Sequence, residues 1–76
     1  MNDFTQLGKQ LGEQLLKARR LARLSRQQLA VRAGVHRNSI HRYECGADMP
    51  ITTFIRLCAA MGTDHVALLK SAKVID

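Results

Sequence analysis

The sequence predicts an all-α domain, a compact five-helix bundle. Three observations carry this. Apolar residues recur at spacings of three and four, in Leu7, Leu11, Leu15, Ala18 and Ala22 and again in Ile51, Phe54, Ile55, Cys58 and Met61, the period of one helix face. Helix start and stop residues punctuate the chain at Ser25, Gly34, Gly46, Pro50 and Gly62. Aromatic residues, which favour sheets, are confined to Phe4, Tyr43 and Phe54. At 76 residues the chain makes one domain. A domain this small buries only about 60% of its unfolded surface, so pairing with a second copy is one route to stability.

The first helix is expected over 6–23, on the Leu7 to Ala22 stripe. Gly8 and Gly12 each weaken it by up to about 1 kcal/mol relative to Ala, so its N-terminal end is expected to fray. Ser25 is an N-cap, and Gln28 three residues later completes a capping box. The second helix then runs to Ala33, with Leu29, Ala30 and Ala33 inward, and Gly34 stops it. Only Gly34 and Val35 separate it from a third helix over 36–44, anchored by Ile40 and stopped by Gly46. Pro50 suits the first position of a fourth helix, whose inward face is read as Ile51, Phe54, Ile55, Cys58 and Met61, with Gly62 at its end. Thr63 or Asp64 caps a short fifth helix through about Lys70, with Val66, Leu68 and Leu69 inward. The domain is thus placed at 1–70, and 71–76 is read as a short tail available to a dimer interface.

The formal net charge is +6, which calls for an anionic partner. Between Gln14 and Tyr43 there is no acid, while Lys17, Arg19, Arg20, Arg23, Arg26, Arg32, Arg37 and Arg42 all fall there. A solvated basic face is the ordinary reading of such a run. The lack of acidic relief across about eight helical turns favours a phosphate-facing surface. No apolar run approaches the ~20 residues that span a bilayer, and the N-terminus has no signal-peptide core, so a cytoplasmic location is expected. Cys45 and Cys58 are expected as reduced thiols. His41 and Cys45 share a helix face with His36 nearby, but the ligand spacing of a structural zinc site is missing, and no metal or cofactor is expected. Acid pairs and phosphate-binding Gly loops are also missing. The pairing of Cys45 with His41 mimics a nucleophile and base without an evident substrate pocket, so no enzyme is expected.

The informative unit runs over about 25–45: two short helices joined by a tight turn at Gly34. Such a turn sets the helices steeply and lets the second lie in a DNA major groove. Leu29, Val35 and Ile40 form the inner triangle that holds the angle, and Ala30 is small where the helices approach. Arg37, Asn38, His41 and Arg42 are left outward on the third helix. Helix–Gly–helix units occur in many bundles, so the side chains matter more than the turn.

Those side chains carry a resemblance. The stretch LLKARRLARLSRQQLAVRAGVHRNSIHRYECG, followed by MPITTFIRLCAAMG, resembles the lambda-repressor/Cro-like helix-turn-helix family, also called the xenobiotic-response-element family, over residues 11–69. The resemblance implies a five-helix bundle that binds double-stranded DNA. It makes Arg19 and Glu44 a structural salt bridge behind the DNA-binding surface, although Arg19 also fits a phosphate contact. It places Ser25 and Arg26 on the DNA backbone, where the positive end of a helix favours phosphate; Arg26 also fits a solvated surface arginine. It assigns base reading to His36, Arg37, Asn38 and Arg42. Arg can pair with guanine and Asn with adenine in bidentate fashion, and Arg42 fits a phosphate equally. His36 departs from the Ser or Thr usual at that cap, which leaves the cap weaker or makes His36 a contact. His41 and Tyr43 are further backbone candidates, His41 peripheral and Tyr43 equally suited to core packing.

By this resemblance the chain is expected to be a bacterial or phage-encoded transcriptional regulator, a homodimeric repressor. Its two third helices would enter successive major grooves about 34 Å apart, with the dimer contact on helices four and five and the tail. Repression is favoured because the second helix shows Arg26, Gln27, Val31 and Arg32, where some activators of the family carry an acidic patch. The alternative is an antitoxin or other partner-binding regulator, with a toxin or a phage or host factor as its partner. Its interface would use apolar residues left over by the core pattern: Leu16, Leu21, Leu57, Val74 and Ile75.

Overall fold

The structure, a computed structural model, describes residues 4–73. It holds five helices and no strand among those residues: α1 (Phe4–Leu21), α2 (Arg26–Ala33), α3 (Arg37–Glu44), α4 (Ile51–Met61) and α5 (His65–Ser71). The all-α bundle expected from the apolar spacing is the one observed. The long α1 packs on α3 and α5, while α2 packs on α3 and α4. The main core joins Leu15, Leu24, Leu29, Ala30, Ala33, Ile40, Leu57 and Met61. A second cluster of Phe54, Cys58 and Leu68 seats α5 on α4.

The helix ends explain the short connections. At Ser25 the capping box forms in full: Ser25 Oγ accepts from the Gln28 N–H at 3.0 Å, and Gln28 Oε1 accepts from the Ser25 N–H at 2.8 Å. Gly34 is left-handed at φ 70, and the Val35 N–H reaches back to the Ala30 carbonyl at 3.0 Å. That 6→1 closure compresses the α2–α3 turn and points Val35 at the core. α1 ends the same way without a glycine. Leu24 N–H bonds the Arg19 carbonyl at 3.1 Å, with Arg23 left-handed at φ 58. The helix therefore stops at Leu21, short of the expected residue 23, because Arg23 turns the chain so that Leu24 can be buried. Asp64 is the α5 cap, accepting from the Val66 N–H at 3.0 Å.

Several inward assignments need correction. Ile51 is 62% exposed, and Ile55 and Val66 are exposed too, whereas Leu57, read as a leftover surface residue, is fully buried. The buried face of α4 is Thr53, Phe54, Leu57, Cys58 and Met61, rotated from the expected stripe because α4 packs against both α2 and α5. Pro50 is the N-cap of α4 rather than its first residue. Leu16 is half-buried. α5 extends to Ser71 and Ala72 is buried, so the tail begins later than residue 71; Val74 and Ile75 lie outside the described residues.

Gly8 and Gly12 also play a different part from the one expected. A Cβ on Gly8 would run into the Gly46 carbonyl oxygen. One on Gly12 would run into the Tyr43 carbonyl oxygen and stand 2.8 Å from that of Glu44. The two glycines form a bare strip on which the C-terminal end of α3 lies directly against α1. Their helix-propensity cost is offset by a close approach that no other residue permits. Gly12→Ala is expected to destabilise the fold by about 1–3 kcal/mol through overpacking, despite the gain of about 1 kcal/mol that Ala gives an isolated helix. Urea denaturation measures this directly, and a raised midpoint would contradict the close-approach account.

Cys58 is buried and Cys45 exposed, both as free thiols. Burial first, and then the nearby Asp64 carboxylate, push the Cys58 thiol up from 9.0 to about 11. The unfolded chain then ionises at lower pH than the folded one. Stability from this group is intact below pH 9.0 and is lost as pH rises toward about 11. The Cys58→Ala variant is expected to lose less stability than the parent over that alkaline window. Equal pH dependence in the two proteins would rule out Cys58 as its source.

Candidate nucleic-acid interface

The site is built where α1, α2 and α3 meet, and one carboxylate organises it. Arg19 Nε donates to Glu44 Oε2 at 2.6 Å, and its Nη2 donates to Oε1 at 3.4 Å. The same guanidinium donates from Nη1 to the Leu24 carbonyl at 2.9 Å, in the α1–α2 turn. Arg26, the first residue of α2, donates from Nε to Glu44 Oε1 at 2.9 Å. Glu44 thus holds two arginines from two other helices, with its own side chain 3% exposed. Charge-assisted bonds of this kind are about twice as strong as neutral ones. Glu44 is the sole acid between Glu13 and Asp48, so any arginine folded toward it finds no competing partner.

Arg26 has two aspects. Its Nε is committed to Glu44, yet the side chain stays 41% exposed. That second ion pair went unread in the sequence, which gives Arg26 only an outward part. Beside it, the capping box uses the N–H groups of Ser25 and Gln28. The N–H groups of Arg26 and Gln27, in the first turn, have no carbonyl within the helix to bond. They border a cleft lined by Arg19, Ser25, Arg26, Gln27, Arg37, Asn38 and His41. A cleft with three arginines and a helix N-terminus favours anions.

The outward side of α3 carries Arg37, Asn38, His41 and Arg42, all exposed. Ile40 is fully buried beneath them and anchors the helix. Arg42 Nη2 lies 3.5 Å from Ser39 Oγ, a long contact readily given up to a ligand. His36 is the N-cap of α3 but its side chain makes no capping bond; its ring is exposed beside Arg37 and Asn38. Tyr43 is half-buried and packs on the main core, so its ring is accounted for by packing. Cys45 Sγ lies 3.6 Å from His41 Nε2, and no group of three metal-ligand side chains occurs among the described residues. Gln27 lines the clefts on both sides of the α3 N-terminus. The sequence marks it only as an exposed α2 residue; its place next to the capped helix start is the signal that points to the site.

Two short helices set by a left-handed glycine, the second presenting hydrogen-bonding side chains outward, define a helix-turn-helix protein of the DNA-binding class. Residues 10–70 match the family model described as a helix-turn-helix domain, and the chain belongs to that family. Comparison with curated proteins gave no match. No helix among the described residues is long and apolar enough to cross a membrane.

Removing Glu44 leaves Arg19, whose side chain is only 11% exposed, as an uncompensated charge. Glu44→Ala is expected to cost about 3–5 kcal/mol of stability. Arg26→Ala, at a half-exposed position with Arg19 still paired, is expected to cost under about 1 kcal/mol. Chemical denaturation of both variants tests this ranking, and equal losses would show that Arg26, not Arg19, carries the brace.

Proposed function

We propose that the protein is a sequence-specific regulator of transcription, a homodimeric repressor of the lambda-repressor/Cro-like kind, acting on a near-palindromic operator. The observation that carries this reading is the division of side chains on α3. Glu44 and Ile40 are consumed in holding the helix, while Arg37, Asn38 and Arg42 stand exposed with no strong partner inside the protein. In this reading Arg37 and Asn38 read base edges in the major groove, with Arg42 on a base or a phosphate and His36 at the near end of the same row. Ser25, Arg26, His41 and, through its hydroxyl, Tyr43 grip the backbone. Arg19 and Glu44 stay behind the surface as the brace.

The dimer contact is assigned to α4 and α5, within a domain of about 1–70, with the residues after α5 adding to the seam. Ile51 and Ile55, one helical turn apart and both exposed on α4, support this, together with exposed Val66 on α5. Repression rather than activation is favoured by the surface of α2, where Arg26, Gln27, Val31 and Arg32 leave no acid to contact polymerase. The function needs no cofactor and no catalytic step, and it belongs in the cytoplasm with the DNA.

Selection of binding sites from random duplex DNA tests the reading. The expected result is one short half-site repeated with two-fold symmetry, the half-site centres about 34 Å apart. On the selected site, Arg37→Ala is expected to lose about 1–3 kcal/mol and to relax preference at one base position. An equal loss on random DNA would confine Arg37 to the backbone. Arg26→Ala is expected to weaken all sequences alike and to lower the salt slope by about 1, with an unchanged slope removing it from the phosphate contacts.

A further inference from the structure

The clefts on the two sides of the α3 N-terminus share one wall. Gln27, Arg37 and Asn38 line both of them. Arg37 and Asn38 come from α3, and Gln27 is the α2 member of that wall. Its neighbours in the first turn of α2 are already committed. Ser25 Oγ accepts from the Gln28 N–H, Gln28 Oε1 accepts from the Ser25 N–H, and Arg26 Nε donates to Glu44. Gln27 is the side chain of that turn left over. It is exposed, and among the described residues its amide makes no hydrogen bond within the protein.

Chemistry limits what a free amide can do there. An arginine side chain has only donors, and a phosphate oxygen only accepts. Glu44, the sole acid between Glu13 and Asp48, is taken up by Arg19 and Arg26, so no carboxylate of this stretch is left to orient Arg37. A glutamine amide carries both kinds of group, a carbonyl that accepts and an NH2 that donates. It can therefore stand between a guanidinium and a phosphate, which neither an arginine nor a glutamate can. Without an acceptor beside it, Arg37 is free to turn onto the DNA backbone, where a contact carries no sequence information.

We infer that Gln27 is a positioning residue that sets the base specificity of Arg37, an inference that rests on the reading of α3 as the base-reading helix. On DNA, Gln27 Oε1 accepts from the Arg37 guanidinium, and the Gln27 NH2 donates to the phosphate at the start of α2. Arg37 is thereby held off the backbone and turned to its base edge. Asn38, the third member of the wall, spends its amide on a base in that reading, which leaves Gln27 as the acceptor. One side chain of α2 then joins the grip on the backbone to the reading of a base. Its effect falls on discrimination between sequences more than on affinity for DNA in general.

Fluorescence anisotropy of the full chain on two duplexes tests this. One is the selected site, and the other has the base pair changed whose preference Arg37→Ala relaxes. Gln27→Met, at an exposed position, keeps the length of the side chain and removes both polar groups. It is expected to lower the ratio of the two affinities by about fivefold, as for residues coupled in one hydrogen-bond network, with most of the loss on the selected duplex. Gln27→Glu keeps the acceptor and sets a negative charge against the phosphate. It is expected to weaken both duplexes and to keep the ratio. In an Arg37→Ala background, Gln27→Met is expected to leave the ratio unchanged. A ratio equal to the parent's in Gln27→Met, or an equal fall in the ratio when Arg37 is gone, overturns the inference and leaves the reading of α3 standing. A parent protein that binds both duplexes equally overturns that reading, and the inference with it.

Discussion

The Glu44 carboxylate is the constraint on which the rest of the site depends. It sits at the end of α3, bonded to Arg19 from α1 and to Arg26 from the start of α2. Arg19 also holds the Leu24 carbonyl in the turn between those helices. One acid in a basic stretch therefore ties three helices and a turn into a single geometry. A buried ion pair is weak grounds for stability on its own, since its desolvation offsets much of its attraction. Its value here is positional: it fixes the angle at which α3 leaves the bundle.

The same end of α3 is held from the other side by the absence of side chains. Gly8 and Gly12 let the carbonyls of Tyr43, Glu44 and Gly46 lie against the α1 backbone. The long helix α1 is thus the platform of the molecule, with a bare strip and an arginine toward α3 and Ala18 toward α5. Because α3 is fixed by its inner residues and its C-terminal end, the side chains on its outer face are left free. That division makes a short helix of eight residues usable as a reader: its backbone is fixed before any ligand arrives, so little ordering cost falls on binding.

The bundle was legible from local signals. The capping box at Ser25, the left-handed Gly34 and the apolar spacing of α1 and α2 act within a few residues, and each is found where local chemistry requires it. What stayed hidden depends on packing between distant segments. The rotation of α4 follows from its having two neighbours, so Ile51 and Ile55 turn outward while Leu57 turns in, and a single-stripe reading of Ile51, Phe54, Ile55 and Cys58 misses that. Gly8 and Gly12 look like weak points because their compensation lies more than thirty residues away. Arg23 shows a third limit: nothing in its chemistry announces a left-handed residue, and burial of Leu24 imposes it. Within the site, the outward row on α3 was readable from spacing and residue type. The second arginine on Glu44 and the position of Gln27 between two clefts emerge only from the geometry.

The central claim is that the braced α2–α3 unit is the surface that meets duplex DNA. Mapping amide chemical shifts during titration with a short duplex tests it most directly, because every part of the chain reports at once. The account predicts that the largest changes fall on 25–28 and 36–42, with α5 unmoved, and that they fade as salt is raised. Changes centred on α1 and α5, or spread evenly over all the arginines, would contradict it.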